Sequence, residues 1–240
     1  EDMLASELAA KVPDELRRIK HAQAITDQTF TDILGIIKAG MTEKAVAAEI
    51  VYLLLKHGAD QIPEHFWPIV ASGPNSAIVH AHPTDRKLSD GDVVLLDFGC
   101  LVEGYTSDMS RTLVLGKASD KIKKVYAIVL EAQQAALAAA KAGISGMKLD
   151  AVARSIIESA GYEIPHGVGH SLGLEIHEEP RINPRNPNPL PENAVMTIEP
   201  GIYIPGEFGV RIEDMVRLTK IGSENLTASP KELIELHPAR

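Results

Sequence analysis

GDVVLLDFGCLVEGYTSDMSRT, residues 91–112, is the stretch whose reading decides the fold. After the turn signal Asp90-Gly91, DVVLLDFG is an apolar run of strand length, and TSDMSRTLVLG reads as its return arm. Asp97 and Asp108 sit on the two arms, and the point midway between them falls between Val102 and Glu103. Residues equidistant from a hairpin turn face each other across the ladder, so the spacing predicts two carboxylates projecting together from apolar strands. Like charges so placed repel, and burying them is costly unless something cancels them. A metal ion would do so.

The figure recurs about a hundred residues later. AVMTIEPGIYIPGEFGVRIEDMVRLT carries Glu199 and Glu213, whose midpoint is Gly206, inside the turn PGEFG. Between the two hairpins lies HGVGHSLGLEIHEEP, rich in histidine. Four carboxylates balance two divalent cations, and oxygen donors with one imidazole suit Mn, Co or Fe, with Zn admissible and a thiolate site excluded.

Outward from these hairpins the chain reads as a duplication. Pro13-Asp14-Glu15 opens a helix whose apolar spacing runs to Ile37, with Gly40 as its stop. Thr42 caps a second helix ended by Gly58. HFWPIVASG is a short strand and GPNSA a turn. After the first hairpin the order restarts: an Ala-rich helix capped at Ser119 or Asp120 and stopped at Gly143, then MKLDAVARSIIESAG, a helix closing at Gly161. VVLLDFG at 93–99 aligns with VMTIEPG at 195–201. The tail SPKELIEL is expected to be a short capped helix. Two like halves facing each other would set four carboxylates around one pocket.

At 240 residues, 45% of them hydrophobic, the chain has the makings of one large domain or two small halves. Its 24 Lys and Arg against 33 Asp and Glu give a net charge of −9, which argues against nucleic-acid and anionic membrane surfaces. The lone Cys100 forbids an internal disulfide and points to a reducing compartment, the cytoplasm. No apolar run approaches the roughly 18 residues that span a bilayer. No signal-like segment is apparent, and the start at Glu1 reads as the loss of something upstream, with residues 1–12 the remnant of a linker.

With these residues in hand, the chain resembles the proline-directed branch of the pita-bread metallopeptidases, prolidase and aminopeptidase P, from about Pro13 to Leu236. The motifs LLDFG, SDMSRT, GHS, IEPGIY and VRIED carry the resemblance. It implies an α+β pita-bread (creatinase/aminopeptidase) fold: two pseudo-symmetric helix-helix-hairpin halves around a central curved antiparallel sheet, in a catalytic domain over 13–240. It implies metal ligands at Asp97, Asp108, His170, Glu199 and Glu213, with Glu199 also the general base. His80 and His177 match two further active-site histidines, suited to steadying the tetrahedral intermediate or the proline carboxylate. Arg211 matches an arginine near the metals in aminopeptidase P, and Arg181 the arginine that prolidases set on the dipeptide carboxylate, so both are expected to bind substrate. The implied activity is hydrolysis of the bond before proline, as an Xaa-Pro dipeptidase with two divalent ions, manganese first. The alternative is an aminopeptidase P acting on longer Xaa-Pro peptides. A homodimer is compatible with the branch, whose separate N-terminal domain helps pair its members.

The sequence departs from the family at Ser171, where Gly is usual, at Ile78-Val79 before the first histidine, and at Cys100. None of these removes a ligand, so a non-catalytic pita-bread module and a creatinase-like hydrolase, both of which lack the ligand set, fit less well. Taken singly, each residue has an ordinary reading: Asp97 as a strand-edge residue, Asp108 as solvated, Glu199 as turn chemistry, Glu213 as a surface acid, His170 bonded to backbone. His82 reads as a loop bystander, His166 as structural, and Phe66 and Trp67 as core.

Overall fold

The computed structural model describes residues 7–64 and 66–237. After a helical turn at residues 7–9 come two helices, α1 (Pro13–Leu34) and α2 (Glu43–Lys56). Pro13 stands at the first helical position, and the Glu15 carboxylate accepts from the Val12 N–H at 2.8 Å. α1 ends at Leu34, earlier than its apolar spacing suggests, because Gly35 breaks it and Ile37 turns back into the core. Thr42 caps α2 by accepting from the Ala45 N–H.

β1 (Ile69–Ser72) pairs with β2 (Val93–Phe98), and β2 with β5 (Met109–Leu115), all antiparallel. The tip between β2 and β5 is a separate ribbon, β3 (Leu101–Val102) with β4 (Tyr105–Thr106). The second half follows the same plan. Helices α3 (Asp120–Ala139) and α4 (Gly146–Ser159), capped by Ser119 and Ser145, precede β6 (Gly169–Ser171), β7 (Glu178–Ile182) and β8 (Val195–Ile198). Then come β9 (Gly201–Ile204), β10 (Phe208–Arg211), β11 (Asp214–Leu218) and β12 (Ser223–Asn225). The sheet orders are β1-β2-β5 in the first half and β6-β8-β11 in the second, the same three-strand plan twice. Each half has its own apolar core under its own helix pair.

The halves are stitched at β5: the Glu213 N–H donates to Ser110 O at 3.1 Å, and Thr112 exchanges hydrogen bonds with the Arg211 backbone. The tail is not a helix. β13 (Ile234–Leu236) runs parallel to β5, completing the first half's sheet. The buried Arg111 guanidinium holds Ser229 O and Pro230 O, which keeps the approach to β13 extended. Residues 7–12, expected as linker, are docked in this structure: Ala9 is fully buried, Ala10 bridges Ala194, and the Lys11 N–H donates to Asn193 O.

The first hairpin differs in register from the expectation. Asp97 faces Ser110, not Asp108. Glu103 and Gly104 both have positive φ, 48° and 81°, so the turn is centred between them rather than one residue earlier. In that register Asp108 falls opposite Gly99, diagonal to Asp97 and on the same face. Gly99 is required there, since a Cβ would lie 1.7 Å from Ser107 O. The second hairpin turns at Gly206, where the spacing put it, with Ile204 facing Phe208.

Candidate metal centre

Each acidic residue sits where its hairpin leaves the regular ladder. Asp97 is near the end of β2, Asp108 just precedes β5, Glu199 follows β8 and Glu213 precedes β11. Backbone bonds fix the last two, Glu199 N–H to Val168 O at 2.8 Å and Glu213 N–H to Ser110 O. His170 is the middle residue of β6, and its N–H donates to Thr197 Oγ1 at 3.0 Å. All five line one cavity of about 710 Å³, together with His80, His177, Arg181 and Arg211. Ligand atoms of Asp108, His170 and Glu213 lie within 4.8 Å of one another, and all three residues are buried.

The histidine's protonation follows from its partners. Nδ1 lies 3.0 Å from Ser171 O, a carbonyl that can only accept, so Nδ1 carries the hydrogen and Nε2 is a bare lone pair. That lone pair faces Asp108 Oδ2 at 3.6 Å and Glu199 Oε1 at 3.4 Å. Burial lowers the His170 pKa to about 3, so the ring itself takes up no second proton at neutral pH. Lone pairs therefore converge from three sides, and Asp97 Oδ1 and Asp108 Oδ1 are buried with no hydrogen-bond partner among the described residues. Burial and the neighbouring carboxylates hold Asp108 and Glu213 well above the usual carboxylate range. Burial, with Asp97 adding to it, lifts Glu199 to about 7 against the opposing pull of Arg211. Buried, mutually repelling oxygen donors beside a bare imidazole nitrogen are what a divalent cation would satisfy, so the residues fit one.

Among the described residues, Arg211 is the one buried cation lining this cavity. Its Nη2 donates to Asp97 Oδ2 at 2.6 Å, its Nε to Ser110 Oγ at 2.8 Å, and its Nη1 to the Tyr203 hydroxyl at 2.8 Å. Ser110 passes the contact on, donating to Glu213 Oε2 at 2.7 Å. His166 Nδ1 donates to Gly167 O, which leaves Nε2 to accept from Tyr203. His166 is thus structural as expected, yet it also lines the cavity. Thr197 supports Glu199 at 3.2 Å.

His80 and His177 reach the cavity from exposed loops, and the His177 ring stands edge-on to that of His170 at 4.5 Å. Two expectations are corrected: His82 and Trp67 line the cavity, and Trp67 is 55% exposed rather than core, because its strand begins only at Ile69. Phe66 is buried, as expected of a core residue, and also contributes to the cavity wall. Ser110, Thr197 and Tyr203 went unread in the sequence. The signal for the first two was present: each is two residues from a ligand, on the same face of an extended segment.

The family model for metallopeptidase family M24 matches residues 17–220. The chain is 42% identical over 236 residues to the Xaa-Pro dipeptidase of Pyrococcus horikoshii, covering 98% of this chain and 67% of that one. It superposes on an X-Pro aminopeptidase from Thermotoga maritima with a TM-score of 0.94 at 44% identity, covering 97% of this chain and 66% of that one. A Xaa-Pro dipeptidase from Bacillus anthracis gives a TM-score of 0.95 at 42% identity, with 98% and 66% covered. The chain therefore spans about two thirds of the length of these relatives. Its doubled helix-helix-hairpin plan and curved sheet are the pita-bread fold, and on fold, motifs and matched length the chain belongs to metallopeptidase family M24.

Proposed function

We propose that this chain is the catalytic part, residues 13–240, of a two-metal exopeptidase that hydrolyses the bond before proline in Xaa-Pro dipeptides. The bare His170 Nε2 among buried, unsatisfied carboxylate oxygens carries the reading. Asp97, Asp108, His170, Glu199 and Glu213 would hold two divalent ions, manganese the first candidate and Co, Fe or Zn the others. Such ions, when bound, acidify water and polarise a carbonyl.

The chain's own groups supply the rest. Glu199 is suited to take a proton from the attacking water and deliver it to the leaving nitrogen. The delivery matters because the imide nitrogen of proline has no hydrogen and must be protonated to leave. His80 and His177, at the cavity's rim, would steady the developing oxyanion or the proline carboxylate. Arg181, 37% exposed on β7 and, among the described residues, paired only to Glu179 at 3.3 Å, is available for a substrate carboxylate. Arg211 binds Asp97 instead, so its part is to hold the cluster's shape rather than to bind peptide.

The test is proline release from Gly-Pro and Ala-Pro by Mn- or Co-loaded protein. Release supports the reading; none, with metal shown bound, overturns it. The Thermotoga maritima likeness keeps aminopeptidase P as the second reading, and preferred turnover of Xaa-Pro-Xaa tripeptides would select it. No helix among the described residues is long and apolar enough to cross a membrane. A cytoplasmic location and a homodimer complete the proposal.

A further inference from the structure

Lys11 lies in the segment before α1, yet its side chain is only 2% exposed. Its Nζ donates to Leu8 O at 2.7 Å and to Glu178 Oε2 at 3.0 Å. The other Glu178 oxygen accepts from the Glu175 N–H at 3.1 Å. Glu178 therefore joins Lys11 to the loop 172–177 from both of its oxygens. The loop is tied elsewhere too: the Gly173 N–H donates to Glu175 O, and Thr106 donates to Gly173 O through its N–H and its hydroxyl. The lysine stem lies so close that a Cβ on Gly173 would come within 2.7 Å of its Cε. This loop delivers His177, the neighbour of Glu178, to its place 4.5 Å from the His170 ring.

A buried lysine needs its charge matched, and the largely buried Glu178 carboxylate supplies that match. The pairing also gives a fixed point to a loop whose Leu174, Glu175 and His177 are exposed. The backbone around Lys11 is itself anchored, by the Ala10–Ala194 bridge and the Lys11 N–H to Asn193 O bond, at the start of β8, the strand whose far end leads into Glu199. From this we infer that Lys11 is a positioning residue of the site: through Glu178 it sets the loop 172–177, and with it His177, against the metal centre. The inference rests on the proline-peptidase reading for its catalytic consequence, but not for its mechanical one.

Two measurements test it. Hydrogen exchange on the metal-loaded protein should show Lys11→Met speeding exchange in 172–178 by about tenfold while α3 and α4 stay protected. This arm needs no turnover, so it stands even if no Xaa-Pro peptide is cleaved. In kinetics with Ala-Pro, Lys11→Met should lower kcat/KM by about tenfold, with bound metal unchanged, since small misplacements of a positioned group carry such losses. In a His177→Ala background the same change should cost less than about twofold, because the group it positions is gone. A merely structural lysine would cost the same in both backgrounds. Glu178→Gln, which leaves the lysine stem packed, should reproduce the exchange result and serves if Lys11→Met does not fold. Unchanged exchange in 172–178, or an equal loss with and without His177, overturns the inference.

Discussion

Arg211 Nη2 donates to Asp97 Oδ2 at 2.6 Å, while Asp97 Oδ1 is buried without a partner. One oxygen of this carboxylate is thus committed to the protein and the other is left for a ligand. The same guanidinium reaches Glu213 through Ser110, so a single side chain shapes an acid from each half. Replacing Arg211 by Met should leave the carboxylates buried without compensation. Urea unfolding of the metal-free protein should then show a loss of about 3–5 kcal/mol. Stability equal to the wild type would show that Arg211 is dispensable to the cluster.

Metal should act as a stabiliser in its own right. Wild-type protein should melt higher as Mn is added, by the equivalent of about 2.7 kcal/mol at a hundredfold excess over Kd. Glu213→Gln should abolish most of that rise. Its metal-free form should melt above the metal-free wild type, because burial and the nearby Glu199 and Asp97 make the Glu213 charge costly. A metal-free variant less stable than the wild type would contradict this account of the cluster.

The pH response of the metal-free protein can be assigned by sign. Burial raises Glu199 from 4.5 to about 7 in the folded state, so the fold binds that proton more tightly than the unfolded chain does. The stability this gives is complete below about pH 4.5 and disappears as pH rises through about 7. His170 and His166, lowered by burial to about 3 and about 4, have the opposite effect, since stability falls as pH drops below their unfolded value of 6.5. Glu199→Gln isolates the first contribution. Relative to wild type, the variant should gain in Tm as pH climbs from 5 to 7.5, a window bracketing the two Glu199 values. A constant difference across that window would reject the assignment.

Glu199→Gln should also lose turnover by at least about a hundredfold, in line with removal of a general base, while its circular dichroism stays native. Retained activity would move the proton-transfer role to another group.

Away from the pocket, Arg111 is predicted to be the costliest side chain to lose. It is 1% exposed and binds Asp214, Ser110 O, Glu213 O, Ser229 O and Pro230 O. Arg111→Leu would strip Asp214 of its strongest buried partner and free the tail, at about 3–5 kcal/mol by chemical denaturation. A loss below about 1 kcal/mol would show that Lys231, 2.6 Å from Asp214, and Asn225, 2.8 Å from it, suffice without the arginine.

The four main helices, both hairpins and the four acids on them were legible because apolar periodicity and turn chemistry are local, whereas His80, His170, His177, Arg181 and Arg211 were expected only through the resemblance of their motifs to the family. The first hairpin was misread by one residue at its tip, where Glu103-Gly104 forms the turn and pairs Asp97 with Ser110. The error kept both aspartates on one face, which is why the site survived it. The tail could not be read locally: SPKELIEL has helical spacing, and only its placement beside β5 and under Arg111 makes Ile234–Leu236 a strand. Tyr203 was equally hidden, since its partners, Arg211 and His166, are brought to it by tertiary folding.

The parallel seating of β13 on β5 also bears on how the molecule is made. Its opening sheet stays one strand short until residue 236 has been synthesised, more than a hundred positions after Leu115. The two repeats, however alike in plan, are consequently not separable modules. A nascent chain halted between them would expose the apolar flank of β5, and a split-protein experiment should recover function only when the second fragment carries that last ribbon.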